Sequence, residues 1–128
     1  MKILHFAAAI LILISPVASA QNLDATQQYK RCPANAASMA DSRRCDSEEL
    51  DRQKALLTAE YKIITAGASP SATANLDKAQ KAWVTYRDLD CKAKSSAIPG
   101  SGASDAYFEC MLQHIRVRKL QLENYWSL

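Results

Sequence analysis

Apolar residues recur every three or four positions along three long segments of this chain, which is the spacing of one face of an α-helix. The first stripe consists of Leu50, Leu57, Tyr61 and Ile64, flanked by Leu56 and Ile63. The second consists of Leu76, Ala79, Trp83 and Tyr86. The third consists of Phe108, Leu112, Ile115, Leu122 and Trp126, with Cys110 and Val117 to one side. No segment alternates with period two for long, so the pattern predicts helices and no strands.

Capping and turn residues predict where these helices begin and end. Asp46, with Glu49 three residues later, resembles a capping box and predicts the start of the first long helix. Gly67 predicts its end. The second helix is expected over about 71–97, and the third is expected to begin after Ser104.

The segment 32–44 is small and polar, and it predicts a short helix that Cys45 ties back to the first long helix. The expected fold is therefore all-α. It is a small antiparallel bundle of three main helices, running up, down and up, with a short N-terminal helical element.

The first twenty residues have the pattern of an export signal. Lys2 precedes an apolar run over residues 3–14, and Ala18-Ser19-Ala20 is a small-x-small cleavage pattern before Gln21. The run is too short for a permanent membrane span, and no cysteine follows the cleavage point to carry a lipid. We therefore expect a signal peptide over 1–20, one domain over 21–128, a periplasmic or secreted location and no stable membrane anchor.

The net charge of the chain does not indicate which class of partner it binds. Lys2 is the one lysine or arginine in the predicted signal, so its removal lowers the formal net charge from +3 to +2. Acidic and basic residues interleave along the chain, which is typical of solvated helix faces. A balance this weak predicts no nucleic-acid partner.

Four cysteines, an even set in a small exported domain, predict two disulfides. Three pairings are possible. The pairs Cys32–Cys45 and Cys91–Cys110 are favoured because each closes a short loop around a turn-rich segment. Zinc is disfavoured, because the chain has no CxxC pair and only His114 lies beyond the predicted signal. We therefore expect no metal and no cofactor.

Signatures of an enzyme are also absent from the sequence. There is no GxSxG, no phosphate-binding glycine loop and no HExxH. The neighbouring carboxylates Glu48 and Glu49 are expected to be solvated charge, as is the basic cluster of Arg116, Arg118 and Lys119. His114 is expected to be a satisfied, partly buried histidine. No catalytic residue is predicted.

The segment 79–91 places Trp83, Arg87 and Cys91 four residues apart on one helix face, with Gln80 and Tyr86 beside it. The rest of the fold is expected to pack around this helix. Two roles remain open for Arg87. It can lie over the core and pair with a carboxylate such as Asp90 or Asp51, which is the favoured reading, or it can reach a carboxylate of a binding partner.

The segment 95–104 is the stronger candidate for contact with a partner. It is small, polar and rich in turn formers, and it lies inside the favoured Cys91–Cys110 loop. A loop closed by a disulfide is partly preorganised, which lowers the entropic cost of binding. The candidate contact residues are Pro99, Gly100, Ser101, Gly102 and Arg87. A plain connector between two helices remains the alternative.

The sequence AQKAWVTYRDLDC over 79–91 resembles the W-x-x-Y-R-D-x-x-C core of the LprI-like family, a lysozyme-inhibitor-like domain formerly of unknown function. Its signature residues here are Gln80, Trp83, Tyr86, Arg87 and Asp88. Leu50, Asp51 and Tyr61 match the first-helix pattern of the family, and Gly100-Ser101 matches a glycine-serine between the last two cysteines.

The resemblance covers about residues 32–122. It implies an exported helical domain that binds a protein, and the expected target is a peptidoglycan-cleaving lysozyme. With a net charge of +2 the domain gains no long-range attraction to basic lysozymes, so inhibition would depend on local complementarity. An interaction or immunity protein that binds another envelope protein is the alternative. The oligomeric state is not determined by the sequence.

Overall fold

The computed structural model describes residues 25–127, which contain helices and no strand. The elements are α1 (Gln27–Arg31), a 3₁₀ turn (Pro33–Asn35), α2 (Met39–Ala66), α3 (Pro70–Ser96) and α4 (Gly102–Glu123). This confirms the all-α bundle of three main helices with a short N-terminal helical element. The predicted signal over 1–20 lies outside the described residues.

Helix α2 begins seven residues before the predicted cap at Asp46. Its N-cap is Ser38, whose Oγ accepts a hydrogen bond from the N–H of Asp41 and donates one to the Asp41 carboxylate. Asp46 lies inside the helix, where its carboxylate accepts a hydrogen bond from the Tyr29 hydroxyl. The prediction of a separate short helix over 32–44 was therefore wrong. Within 32–44 only the 3₁₀ turn is separate from α2, because no glycine or proline divides Ser38 from the rest of the helix.

The other helix boundaries agree closely with the predictions. Gly67 is the C-cap of α2, and the Oγ of Ser69 caps α3 by accepting a hydrogen bond from the N–H of Ala72. Pro70 occupies the first helical position of α3, where its missing N–H costs nothing. Helix α4 begins at Gly102, slightly earlier than expected.

Helix α4 packs against both α2 and α3, so it is the helix around which the others are arranged. The expectation that α3 holds this central position was wrong. The physical reason is the width of the apolar face, because α3 buries only Leu76, Arg87 and Cys91. Helix α4 buries a broader set of side chains: Phe108, Cys110, Met111, Leu112, Ile115 and Leu122.

The main apolar cluster consists of Leu57 from α2, Leu76 from α3, and Ile115 and Leu122 from α4. Each buried leucine or isoleucine stabilises the fold by about 1.5–3 kcal/mol relative to an exposed position. Leu50, Tyr61, Ile64 and Trp83 pack against the cluster and are partly buried. The flanking residues Leu56, Ile63 and Val117 are exposed instead. Tyr86 and Trp126, which were predicted as members of the stripes themselves, are also exposed, and Trp126 lies beyond the end of α4.

The two disulfides are Cys32–Cys45 and Cys91–Cys110, as the favoured pairing predicted. The first joins the N-terminal segment to α2, and the second joins α3 to α4. Both bonds therefore connect different elements of the bundle. Within the described residues, no helix combines the length and apolar character needed to cross a bilayer.

Candidate binding surface

The connection between α3 and α4 is a short, exposed turn next to the Cys91–Cys110 disulfide. Ala97 is the C-cap of α3, and Gly102 is the first residue of α4. Pro99, Gly100 and Ser101 are exposed, and Ile98 presents 43% of its surface to solvent. Of the predicted contact residues, Pro99, Gly100 and Ser101 therefore lie in this turn, and Gly102 adjoins it as the first residue of α4.

Two glycines shape the turn in different ways. Gly100 has φ +67°, a left-handed conformation that side chains disfavour. A Cβ added to Gly102 would lie 3.1 Å from Cγ2 of Ile98, so Gly102 permits the close approach of that side chain. The Ser101 side chain caps nothing, so its hydroxyl is free of a structural role at the start of α4.

An open groove of about 830 Å³ lies beside this turn, between the end of α3 and the outer face of α4. The groove is lined by apolar side chains and by both basic and acidic side chains. The lining residues are Lys94, Ala97, Ile98, Ala106, Glu109, Cys110, Gln113, Arg116 and Val117. A smaller hollow of about 230 Å³ shares Lys94, Gln113 and Val117 with it, so the two form one continuous surface.

Asp90 is the centre of a charged group in the smaller hollow. Its Oδ2 lies 2.8 Å from Nζ of Lys94 and 2.8 Å from Nε2 of His114. The hydrogen bond from Lys94, followed by that from His114, lowers the pKa of Asp90 below its usual value, and the same contact with Asp90 raises the pKa of Lys94. Tyr86 contacts the His114 ring edge-on, with centroids 5.5 Å apart. His114 is a partly buried, hydrogen-bonded histidine, as predicted.

Two guanidinium groups lie over the Trp83 ring. The Cζ of Arg87 is 5.1 Å from the ring centroid and that of Arg118 is 5.9 Å away, both within the range of cation–π attraction. Nε of Arg118 also donates a 2.9 Å hydrogen bond to Oε1 of Gln80, which links α4 to α3. Gln80, Trp83 and Arg87 thus form a packed unit, whereas Tyr86 is 59% exposed.

Arg87 is only 8% exposed. Its Nε and Nη2 donate hydrogen bonds of 2.9 and 2.7 Å to Oδ1 of Asp88. Arg87 is thus buried and paired with a carboxylate, as the favoured interpretation predicted, but its partner is Asp88. The two suggested partners pair elsewhere, Asp90 with Lys94 and His114, and Asp51 with Lys54. This burial and pairing distinguish Arg87 from the exposed turn residues of the same predicted contact set.

A family model described as lysozyme inhibitor LprI matches residues 31–122. The chain belongs to the LprI lysozyme-inhibitor family. The matched range includes all four disulfide cysteines, the signature residues on α3, the α3–α4 turn and nearly all of α4. No curated protein and no solved structure matches the chain.

Glu49 is a prominent site in this LprI-family chain that the sequence did not reveal. Expected to be solvated, it is completely buried. Its carboxylate accepts hydrogen bonds from the Thr26 N–H and hydroxyl, from Gln53 Nε2 and from Arg52 Nε. Nη2 of Arg116 lies 3.9 Å from its Oε1. The sequence feature that could have revealed this burial is the spacing of Glu49, because Cys45, Glu49, Gln53 and Leu57 follow one another at intervals of four and form the buried face of α2.

The basic cluster on α4 also departs from expectation. Arg116 has a side chain 17% exposed and faces Glu49, while Lys119 pairs with Glu123 at 3.1 Å. Arg118 lies over the rings of Trp83 and Tyr125. The three side chains therefore lie mainly against the protein rather than forming the solvated face that the sequence predicted, because long aliphatic stems cover apolar surface readily.

Proposed function

We propose that this protein is an exported binding protein that inhibits a peptidoglycan-cleaving lysozyme. The observation that carries the proposal is the match of the LprI lysozyme-inhibitor family to residues 31–122. Two disulfides in a domain of this size fit an oxidising compartment outside the cytoplasm. An inhibitor family also supports a role through binding rather than through catalysis by this chain.

We assign the contact to the turn over 98–101 and the adjoining groove. The Cys91–Cys110 bond joins the helices on both sides of the turn, so its ends are held before a partner arrives. Preorganisation of this kind reduces the entropic cost of association. Exposed Ile98 offers apolar area, and Lys94 supplies a cation beside it. Glycoside hydrolases of this type carry paired carboxylates in their clefts, which a nearby cation complements.

The inhibition itself is tested by titrating the purified protein against lysozymes of several structural types, with the clearing of a peptidoglycan suspension as the readout. We expect stoichiometric loss of activity with at least one type. No inhibition at micromolar excess of the protein over every type would overturn the proposed function. Recovery of a different envelope protein as a stable complex, without inhibition, would favour the alternative of an interaction or immunity protein.

The contact surface is tested separately with Ser101→Trp. Ser101 is exposed and its side chain caps nothing, so a large side chain can be added without disturbing the fold. We expect at least tenfold weaker inhibition, about 1.4 kcal/mol of binding free energy. The matched control is Ser71→Trp, at an exposed serine in the first turn of α3, which is the end of that helix away from the turn over 98–101. Equal inhibition by the two variants would place the contact elsewhere while leaving inhibition intact.

A further inference from the structure

The α3–α4 disulfide lies within a group of four potential metal-binding side chains. Asp90 and Cys91 are adjacent on α3. Cys110 and His114 lie one helical turn apart on α4. One ligand atom of each residue lies within 4.8 Å of all the others. Oδ2 of Asp90 is 2.8 Å from Nε2 of His114 and 3.9 Å from Sγ of Cys110. The sequence separates these residues into two pairs, and only the packing of α4 on α3 brings them together.

Two thiolates, an imidazole and a carboxylate form a donor set that suits tetrahedral zinc. With bond lengths of about 2.0–2.3 Å, the ligand atoms of such a site are separated by roughly 3.3–3.8 Å. Reaching that geometry requires the two sulfur atoms to separate once the S–S bond is reduced, and ligand atoms that are up to 4.8 Å apart to approach by about 1 Å. In the disulfide form, however, the two sulfur atoms are bonded to each other and offer no thiolate.

We propose that the dithiol form of this protein binds one Zn²⁺ through Asp90, Cys91, Cys110 and His114. Every chain passes through this form, because cysteines are incorporated as thiols and the S–S bond is made later. Binding displaces one proton from each thiol, and the neutral imidazole binds through a ring nitrogen. Exchange with an oxidised disulfide partner then transfers the two electrons from the two thiolate sulfur atoms to that partner, which leaves as two thiols. The Cys91–Cys110 bond is formed and the ion is released. The site is therefore an alternative to the disulfide as a link between α3 and α4.

The surroundings suit an ion of this charge. Zn²⁺ with two thiolates and one carboxylate has a net charge of −1, and Nζ of Lys94 lies 2.8 Å from Oδ2 of Asp90 to compensate it. Cys91 and Cys110 are buried, whereas Asp90 and His114 are partly exposed in the small hollow, which gives the ion a path from solvent. The edge of Tyr86 against the His114 ring restricts the orientation of the imidazole.

The test compares oxidised and reduced protein. A phosphine reduces each disulfide to two thiols, taking up the oxygen of one water, and excess Zn²⁺ is then removed by gel filtration. We expect one zinc per chain in the reduced protein and none in the oxidised protein. With Co²⁺ as the probe, we expect thiolate-to-cobalt charge-transfer bands and the visible bands of a tetrahedral ion. Circular dichroism recorded in parallel should show a helical protein when zinc is bound.

Matched variants separate this site from simple binding to free thiols. His114→Ala and Asp90→Asn should each weaken zinc binding at least about tenfold, and Cys91→Ser/Cys110→Ser should abolish the cobalt bands. Cys32→Ser/Cys45→Ser removes the other pair, and it should leave both stoichiometry and spectrum unchanged. The proposal is wrong if the reduced protein binds no stoichiometric zinc or stays unfolded with it. It is also wrong if binding survives His114→Ala unchanged or depends on Cys32 and Cys45.

Discussion

Glu49 is a fully buried carboxylate that connects three parts of the fold. It accepts hydrogen bonds from Thr26 in the N-terminal segment and from Gln53 and Arg52 on its own helix. It also faces Arg116 on α4. A buried charge is tolerated only when its partners replace the lost water, and the four hydrogen bonds to Glu49 do so.

Removing this carboxylate should destabilise the fold strongly. Glu49→Ala removes the acceptor of the Thr26 and Gln53 donors and the carboxylate that Arg52 and Arg116 face, and we expect a loss of about 3 kcal/mol in the free energy of unfolding. Glu48→Ala is the matched control, because the neighbouring side chain is 51% exposed. It should change stability by less than about 0.5 kcal/mol. Urea denaturation of both variants measures the difference, and equal losses would contradict the role assigned to Glu49.

The same residue should make stability depend on acidity. Burial alone would raise the pKa of Glu49, but hydrogen bonds from Thr26, Gln53 and Arg52 together lower it below 4.5. A group with a depressed pKa in the folded state contributes stability that is present above about pH 4.5 and is lost as the pH falls through the folded pKa. We therefore expect Glu49→Gln to show a weaker acid dependence of unfolding below pH 4.5 than the unmodified protein. Parallel pH profiles would refute this contribution.

At the scale of elements, the turn between α3 and α4 decides how the two helices are joined. Only Ala97 to Ser101 separate them, and the chain reverses direction through the left-handed conformation of Gly100. The Cys91–Cys110 disulfide also joins the two helices, about one to two helical turns away from this connecting segment. The turn is therefore constrained by backbone conformation and by a covalent bond.

Gly100→Ala tests the backbone constraint. A side chain in the left-handed region costs about 1–2 kcal/mol, even though no atom lies within 4 Å of the added Cβ. Gly67→Ala is the comparison, because Gly67 also has open space around it but has φ −106°. That change should be neutral or stabilising by up to about 1 kcal/mol. Thermal unfolding of both variants gives the comparison, and an unchanged midpoint for Gly100→Ala would show that the turn relaxes freely.

At the scale of the whole molecule, α4 supplies the surface on which α2 and α3 pack. The two disulfides stabilise different parts of this bundle. One bond joins two long helices of the bundle, and the other holds the N-terminal segment on α2. The sequence separations of the bonded cysteines are 19 and 13 residues. Loops of these lengths correspond to about 3 kcal/mol each in the chain-entropy picture.

Removing each bond should have a different consequence. Cys91→Ala/Cys110→Ala should lower the free energy of global unfolding by about 3 kcal/mol, because α3 and α4 both belong to the central packing. Cys32→Ala/Cys45→Ala should mainly increase amide hydrogen exchange over 26–36, since it releases a segment at the edge of the bundle. Denaturation and hydrogen exchange on both variants measure this. Indistinguishable exchange patterns would contradict the division of roles.

The sequence by itself determined the fold class, the number of long helices and most of their ends, and among three possible cysteine pairings it favoured the one that the structure has. These features depend on local physics: apolar periodicity selects a helix face, glycine and proline stop helices, and short loops favour neighbouring cysteines. The Trp83–Cys91 motif also indicated the family, and the exposed turn over 97–101 followed from the small and turn-forming residues of that segment. A serine cap at Ser38 was missed, because Asp46 offered an equally good local signal.

Tertiary structure alone decided which helix is central, which charges are buried and which cysteines meet a histidine and a carboxylate. Glu48 and Glu49 are chemically identical and adjacent, yet one is half exposed and the other fully buried, because only Glu49 faces Thr26, Gln53 and Arg116. Likewise, Asp90 and His114 are 24 residues apart in sequence. Their contact exists because α3 packs on α4, and no pattern within either helix specifies the rotation that brings them together.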